Sequence, residues 1–262
     1  MKLVKPLCRA GSPSFKASLS FSSVAPAVGR TTRVCAYDRV GQGGSDDPPH
    51  VQESREAAAD LHTLLDRAGE DGPFVLAGHS TGGSYAMTYA AQYPEQVAGM
   101  VLLDPSDPYR STGHDSADAG APAAIAVLPS LARLGIGRLV PASAWSRLSQ
   151  PSAGQVQAFA ATARGWRNQR DEYAAMLALF AQAQALTSLG STPLVVLTTT
   201  ASDHASGFIA AHDRMAALSA NSSHRSAHVT HVGLIGEQRG AAISLGAIDD
   251  VVQAVRTGAP FR

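Results

Sequence analysis

The sequence is poor in cysteine and has no net charge, and both features narrow the class of protein. Its 262 residues include two cysteines, Cys8 and Cys35. Two thiols give neither a disulfide framework nor the spacing of a metal site. We expect both to be free thiols buried in strands, with a bridge between neighbouring strands as the alternative. Basic and acidic residues balance at 21 each. No charge excess therefore steers the protein toward nucleic acid or an anionic membrane.

Long apolar runs are also missing. No stretch of the sequence approaches the roughly 20 apolar residues that a membrane span needs. Lys2, Lys5 and Arg9 lie near the N-terminus, but no apolar stretch of the kind found in signal peptides accompanies them. We therefore expect a cytoplasmic protein without a membrane span.

Short apolar runs alternate with helical patterns, which predicts an α/β fold with a mostly parallel sheet. Residues 74–77 are wholly apolar, as expected for a central strand of such a sheet. Residues 105–190 contain no convincing strand and are predicted to be a helical insertion. The predicted strands are 3–8, 32–37, 74–77, 97–103, 193–198 and, more weakly, 224–229; the predicted helices outside the insertion are 53–68, 84–93, 208–218 and 247–256.

The run Gly78-His79-Ser80-Thr81-Gly82 fits the G-x-S-x-G pattern of a nucleophile elbow. The pattern also occurs by chance in chains rich in glycine and serine, but here a buried strand leads in and a helix leads out. Such a turn strains the backbone of the serine and exposes its hydroxyl above the sheet, while the two glycines leave room where helix and strand pass closely. Ser80 is therefore predicted to be a nucleophile; the alternative is a tight turn without chemistry.

Two segments carry a resemblance to a known family. Residues 37–46, Tyr-Asp-Arg-Val-Gly-Gln-Gly-Gly-Ser-Asp, resemble the "YDRxGxGxS" turn of α/β-hydrolases, and residues 78–104 resemble the elbow, helix and following strand of that family. The resemblance covers most of residues 1–104 and 190–262. It implies an α/β-hydrolase fold, with residues 1–104 and 191–262 as the core. Residues 105–190 resemble a helical cap by position only.

The resemblance also implies the chain order serine, acid, histidine. His231 follows the last predicted strand and is the expected base. His224 and His228 lie within or at the edge of that strand, so we expect them to be structural or surface residues. His79 belongs to the elbow and is expected to pack rather than to transfer protons.

Two aspartates are candidates for the acid that fixes the tautomer of the base. Asp104 ends the strand after the elbow helix, where certain dehalogenases of the family place their acid. Asp203 follows the strand at 193–198, which is the commoner family position. The turn before Asp203 lacks the glycine that is usual there. We therefore favour Asp104 and keep Asp203 as the alternative.

An oxyanion hole needs two backbone N–H donors near the nucleophile. Thr81, the residue after Ser80, is expected to supply one. Ser12 is expected to supply the other by position, although the family often has His-Gly where this chain has Ala10-Gly11. Because the donors are backbone groups, this departure does not exclude catalysis.

The family usually begins with two further strands before the one predicted at 3–8. We therefore expect that the first strands of the fold are missing and that the reading frame is truncated, in which case an upstream signal would be missing as well. The edge of the strand at 32–37 would then be open to association with a second copy of the chain.

Together these residues predict a serine hydrolase that cleaves an ester or related acyl bond of a small molecule through an acyl-enzyme. No cofactor or metal is expected, since the sequence has no H-E-x-x-H pattern, cysteine cluster or nucleotide-phosphate loop. The same fold and triad also support C–C or amide hydrolysis and peracid formation. A non-catalytic, truncated binding protein is the alternative from another class.

Overall fold

The computed structural model describes residues 5–11, 21–109, 123–135, 152–201 and 205–261. Six strands lie in these residues: β1 Lys5–Gly11, β2 Cys35–Ala36, β3 Phe74–Ser80, β4 Val97–Leu103, β5 Leu194–Thr199 and β6 Ser222–Ala227. They form one parallel sheet in the order β2-β1-β3-β4-β5-β6. The carboxyl ends of all six strands therefore meet at one edge of the sheet, where α/β folds place their ligands. The α/β class and the parallel sheet agree with the sequence prediction.

Helices connect and flank the strands. In chain order the helices are α1 Ala25–Val28, α2 Ser54–Arg67, α3 Thr81–Gln92, α4 Ala123–Arg133, α5 Ser152–Ala160, α6 Ala163–Ala174, α7 Met176–Ala183, α8 Ala205–Ala216, α9 Gly233–Gly236 and α10 Gln238–Thr257.

The central strands are apolar on both faces because helices cover both. Val75, Val101 and Val195 face one side and pack with α10 and the residues around α1. The alternate residues face the other side, where they pack with α2, α3 and α8. Every residue of β3 and of β5 is buried, as expected for central parallel strands.

The predicted bounds were wrong at several places. Strand β2 has two residues rather than the predicted 32–37, because it is an edge strand paired only with β1, and residue 32 belongs to the preceding turn. Strand β1 continues to Gly11, beyond the predicted end at residue 8. Helix α10 begins at Gln238 rather than at 247.

The helical segments between β4 and β5 are attached to the core by polar contacts. Arg39, in the loop after β2, forms a buried ion pair with Glu172 of α6 at 2.8 Å. Arg164, at the start of α6, bonds Asp47 at 2.6 Å. Gln182 of α7 accepts a hydrogen bond of 2.6 Å from the Ser54 hydroxyl on α2. These contacts hold α6 to the loop after β2 and α7 to the start of α2.

None of the helices in the described part of the chain is both long enough and apolar enough to cross a membrane.

The two cysteines lie in neighbouring strands. Cys35 is a free, half-buried thiol in β2, and Cys8 lies in β1, one position out of register with Cys35. Both cysteines are therefore in strands, as predicted.

Candidate active site

Ser80 ends β3 and immediately precedes α3, and its backbone is strained. Its φ of 56° and ψ of −130° lie in a region that residues with a side chain rarely adopt. The turn is also crowded, since a Cβ added to Gly78 would lie 2.4 Å from the carbonyl oxygen of Gly82. The strand-to-helix turn therefore has the strain and the close glycine packing that the sequence predicted.

Asp104 lies directly after β4, again with a positive φ, of 45°. Its carboxylate accepts three hydrogen bonds. The Thr199 backbone N–H donates to Oδ1 at 2.8 Å, and the Thr199 hydroxyl donates to Oδ2 at 2.6 Å. His231 Nδ1 lies 2.5 Å from the same Oδ2. The structure therefore brings together two of the residues that the sequence singled out, one as acid and one as base.

Opposing effects act on the pKa of Asp104. Burial favours the neutral carboxyl and raises its pKa. The hydrogen bond and the charge of His231, together with the two bonds from Thr199, favour the carboxylate and outweigh burial, so the pKa lies below its ordinary value. Asp104 is therefore ionised at neutral pH and faces an imidazole.

His231 lies in the turn after β6, with its side chain 39% exposed. Because a carboxylate only accepts hydrogen bonds, Nδ1 of His231 carries the hydrogen of the bond to Asp104. In the neutral ring Nε2 is then unprotonated and able to take up a proton. This is the tautomer that a general base needs.

His79 supports the position of His231 from behind. The ring of His79 is almost fully buried, and its Nε2 donates to the His231 backbone carbonyl at 2.9 Å. The two rings lie 4.3 Å apart between centroids. Burial, strengthened by repulsion from His231, lowers the pKa of His79 to about 3. His79 is therefore neutral near pH 7 and packs, as predicted.

The predicted oxyanion donors are only partly within the described residues. Thr81 is the first residue of α3, so its N–H lies at the start of the helix, directly after Ser80. Gly11, at the end of β1, is the register partner of Ser80. Ser12 lies outside the described residues, and so does Asp203, the alternative acid.

The sequence does not predict the role of Thr199. Residues 198–202 are predicted only as a turn without glycine, which argues against Asp203. In the structure this segment holds Asp104 instead, through the two bonds of Thr199. Strand β5 ends in threonines, and the neighbouring strand β4 is followed by Asp104. A hydroxyl at the end of one strand beside a carboxylate at the end of the next is a signal that could have identified Thr199.

A second polar cluster lies beside the elbow. Glu172 bonds Arg39 at 2.8 Å and Gln42 at 3.3 Å, and its Oε1 lies 3.5 Å from the Thr81 hydroxyl. The Arg39 guanidinium lies 3.8 Å from the centre of the Tyr85 ring. Burial lowers the pKa of Arg39, but the attraction of Glu172 and the neighbouring tyrosines outweighs it, so the pKa is raised and the charge is permanent.

No three acidic, histidine or cysteine side chains in the described part of the chain are grouped so that they could hold a metal ion. The residues that do converge are a strained serine at a strand-to-helix turn and an aspartate–histidine pair, all at the carboxyl edge of a parallel sheet. A backbone hydrogen bond of 3.1 Å from the Ser106 N–H to the Ser80 carbonyl joins the turn after Asp104 to the elbow. This arrangement defines the class of α/β-hydrolase-fold proteins.

Comparison with known proteins agrees with that class. The sequence model described as the alpha/beta hydrolase family matches residues 10–243. The chain therefore belongs to the alpha/beta hydrolase family. A thermophilic esterase from Thermogutta terrifontis has a similar fold, with a TM-score of 0.66 and 22% identity over 97% of this chain and 91% of that one.

Two curated relatives match over shorter segments. The chain is 46% identical over 74 residues to the lipase LipV of Mycobacterium tuberculosis, which is 28% of this chain and 27% of that protein. It is 32% identical over 108 residues to the monoacylglycerol lipase of Mycolicibacterium smegmatis, which is 40% of this chain and 36% of that protein. The matched segments thus cover only about a quarter to a third of these relatives.

Proposed function

We propose that the protein is a serine hydrolase that cleaves an ester or related acyl bond of a small molecule, with Ser80 as nucleophile, His231 as base and Asp104 as acid. The observation that carries the proposal is the 2.5 Å bond between His231 and Asp104 beside the strained turn of Ser80. A histidine oriented by a carboxylate near a serine at a strand-to-helix elbow is the arrangement that activates a hydroxyl.

The reaction follows from the tautomer of His231. The Ser80 oxygen attacks the acyl carbon while Nε2 of His231 takes the hydroxyl proton. The backbone N–H groups of Thr81 and Ser12 stabilise the oxyanion. His231 then protonates the departing alcohol, which leaves an ester on Ser80. Water, deprotonated by His231, attacks that ester; the acid is released and the proton returns to Ser80.

The hydrogen-bonding capacity of His231 favours Asp104 over Asp203 as the acid. Nδ1 of His231 carries one hydrogen, and the Asp104 carboxylate accepts it. The bonds from Thr199 fix that carboxylate in turn. An acid at Asp203 would need the same nitrogen, so it would have to displace Asp104 from an oriented and ionised position.

The relatives support an ester as the substrate. Two of them are named as lipases and a structural neighbour as an esterase. We propose that residues 105–190 form a cap whose helices α6 and α7 roof the substrate pocket. The contacts of Glu172 with Arg39 and of Gln182 with Ser54 support a fixed cap at this edge of the sheet.

Hydrolysis of p-nitrophenyl esters with acyl chains of graded length tests the proposal. We expect turnover that Ser80→Ala abolishes, and the preferred chain length reports the size of the pocket. Ser84→Ala is the matched control, because Ser84 is a buried serine in the first turn of α3, directly after the elbow, and its hydroxyl has no hydrogen-bond partner. Unchanged turnover in Ser80→Ala, or none in the parent chain with any ester, would overturn the proposal.

A further inference from the structure

A chain of four hydrogen bonds runs behind Asp104, from the surface of α8 to the turn after β4. Its members are polar side chains on α8, β5 and β6 and the backbone carbonyl of Pro105. The hydroxyl at its centre, on Thr198, is completely buried. The bonds join the Pro105 carbonyl to His212 Nε2 at 2.8 Å, His212 Nδ1 to Thr198 Oγ1 at 2.6 Å, Thr198 Oγ1 to His224 Nε2 at 2.6 Å, and His224 Nδ1 to Asp213 Oδ1 at 2.6 Å.

The hydrogens of these groups do not suffice for the four bonds. Both ends of the chain, the Pro105 carbonyl and the Asp213 carboxylate, can only accept. The three groups between them carry one hydrogen each when both imidazoles are neutral, which gives three hydrogens. Four bonds need four, so the complete chain contains one additional proton.

Burial decides where the additional proton lies. His212 is fully buried, and desolvation lowers its pKa despite the carboxylates of Asp104 and Asp107 nearby. Asp213 is 63% exposed and bonds the other imidazole. A charge is less costly near solvent and beside a carboxylate, so the proton belongs to the bond between His224 and Asp213. The remaining directions follow: His224 donates to Thr198, Thr198 donates to His212, and His212 donates to Pro105.

Two members of this chain, Pro105 at one end and Thr198 at the centre, are sequence neighbours of Asp104 and of its partner Thr199. Pro105 directly follows Asp104, whose positive φ is strained and persists only where the surroundings enforce it. Thr198 directly precedes Thr199, which donates both of its hydrogen bonds to the Asp104 carboxylate. The hydroxyl of Thr198 and the ring of His212 therefore fix the two segments that set the direction of that carboxylate.

We propose that Thr198, His212 and His224 are positioning residues for Asp104, and that the chain they form with Asp213 holds a fourth hydrogen. The first part rests on the proposed function, because Asp104 needs a fixed direction only if it orients a catalytic His231. The groups hydrogen-bonded to His224 are Thr198 from β5 and Asp213 from α8. The centroids of the His224 and His212 rings are 6.1 Å apart.

Thr198→Val tests the positioning role, because valine keeps the shape of threonine and removes the hydroxyl that joins the two imidazoles. In metal sites, loss of the hydrogen-bond partner that orients a ligand typically lowers activity 10–100-fold, and we expect the same scale for a partner that orients the acid. We expect kcat for ester hydrolysis to fall about 10- to 100-fold with KM within about twofold, measured well below the melting temperature of each variant. Thr198→Ser keeps the hydroxyl, and we expect it to retain at least about half of the parent kcat.

The outcomes separate this inference from the proposed function. If Ser80→Ala is inactive while Thr198→Val keeps the parent kcat, the proposed function stands and the positioning role is wrong. The role is also wrong if Thr198→Ser loses as much kcat as Thr198→Val, because packing rather than the hydroxyl would then matter. If Ser80→Ala stays active, the proposed function itself fails.

Nuclear magnetic resonance of protein labelled at histidine and aspartate tests the fourth hydrogen without reference to activity. At neutral pH we expect His212 to carry hydrogen on Nε2 alone. We expect the bond between His224 and Asp213 to contain a hydrogen in addition to the one on His224 Nε2. A singly protonated His224 beside an ionised Asp213 would overturn the assignment.

Discussion

Two carboxylates with little exposure to solvent lie beside the elbow, and they are paired in different ways. Glu172 bonds Arg39, and both side chains are nearly closed to solvent, with 4% and 7% exposed. Asp104 bonds His231, whose side chain is 39% exposed. Arginine only donates hydrogen bonds and keeps its charge, whereas a neutral imidazole also has one nitrogen that can accept a proton. The first pair is closed to solvent, while the second includes a proton acceptor on a partly exposed ring.

Backbone strain separates the two pairs in the same way. In the described part of the chain, the non-glycine residues with positive φ are Ser80 and Asp104, and neither belongs to the Arg39–Glu172 pair. Such conformations cost roughly 1–3 kcal/mol each and tend to lie at functional sites. Strain and a titratable partner therefore occur together at the proposed catalytic pair.

Replacing the proposed acid should have the largest effect. In Asp104→Asn the oxygen that fixes the tautomer of His231 is lost, and we expect kcat to fall by roughly 10⁴-fold, as for the corresponding change in a serine protease triad. Asp203→Asn is the matched control and should stay within a few-fold of the parent. Steady-state ester hydrolysis measures both, and the reverse order would assign the acid to Asp203.

Breaking the Arg39–Glu172 pair should affect stability. Glu172→Gln leaves a buried arginine charge without its counter-ion, and we expect a loss of about 3–5 kcal/mol in the free energy of unfolding. The double variant Arg39→Met/Glu172→Leu removes both charges and should recover much of that loss. Urea unfolding measures the difference. A Glu172→Gln variant as stable as the parent would show that the pair does not hold α6 to the core.

Alanine substitutions at two glycines test the close approach of strand and helix at the elbow. Gly78→Ala places a Cβ against the backbone of Gly82, and we expect a loss of about 1–3 kcal/mol from overpacking. Gly246, inside α10, has open space around its missing Cβ. Gly246→Ala should therefore stabilise the protein by about 0.5–1 kcal/mol. Thermal unfolding of the two variants should shift in opposite directions, and equal shifts would contradict the packing at the elbow.

The buried imidazole behind the proposed base should make stability depend on pH. The pKa of His79 is about 3 in the folded protein, against an ordinary value of about 6.5. Between these values the unfolded chain binds the extra proton, so His79 costs stability as the pH falls below about 6.5, by roughly 1 kcal/mol per pH unit. Above that pH the cost is absent.

His79→Gln isolates this effect, because glutamine does not titrate and can still donate to the His231 carbonyl. Unfolding free energies measured from pH 7 to pH 4 should fall less steeply for His79→Gln than for the parent. Parallel curves for the two proteins would mean that His79 is not held neutral by burial.

The part of the site that the sequence predicts is the part encoded in local patterns. The elbow at Ser80 is a contiguous motif between a strand and a helix, and Asp104 and His231 each follow a strand at the edge where parallel strands end together. These positions need only the order of elements and the direction of the sheet. The α/β class and the strand at 97–103 follow from apolar patterning alone.

The rest depends on packing between distant segments. Pro105 and His212 are separated by 107 residues, and Arg39 and Glu172 by 133. No local pattern marks His212 or Glu172 on their helices, because their partners are set by how the helices pack on the sheet. Strand β2 was overpredicted for a related reason: its composition suits a strand, but at the edge only two residues find a partner.

Reaction with a fluorophosphonate probe, followed by mapping of the modified peptide, tests the central claim most directly. The probe reacts with a serine only if a base activates the hydroxyl, and it reports the residue that is modified. We predict a single adduct on Ser80, none in Ser80→Ala, and much slower labelling in Asp104→Asn. An adduct on another residue, or labelling of Ser80→Ala at the parent rate, would contradict the assignment of Ser80 as the nucleophile.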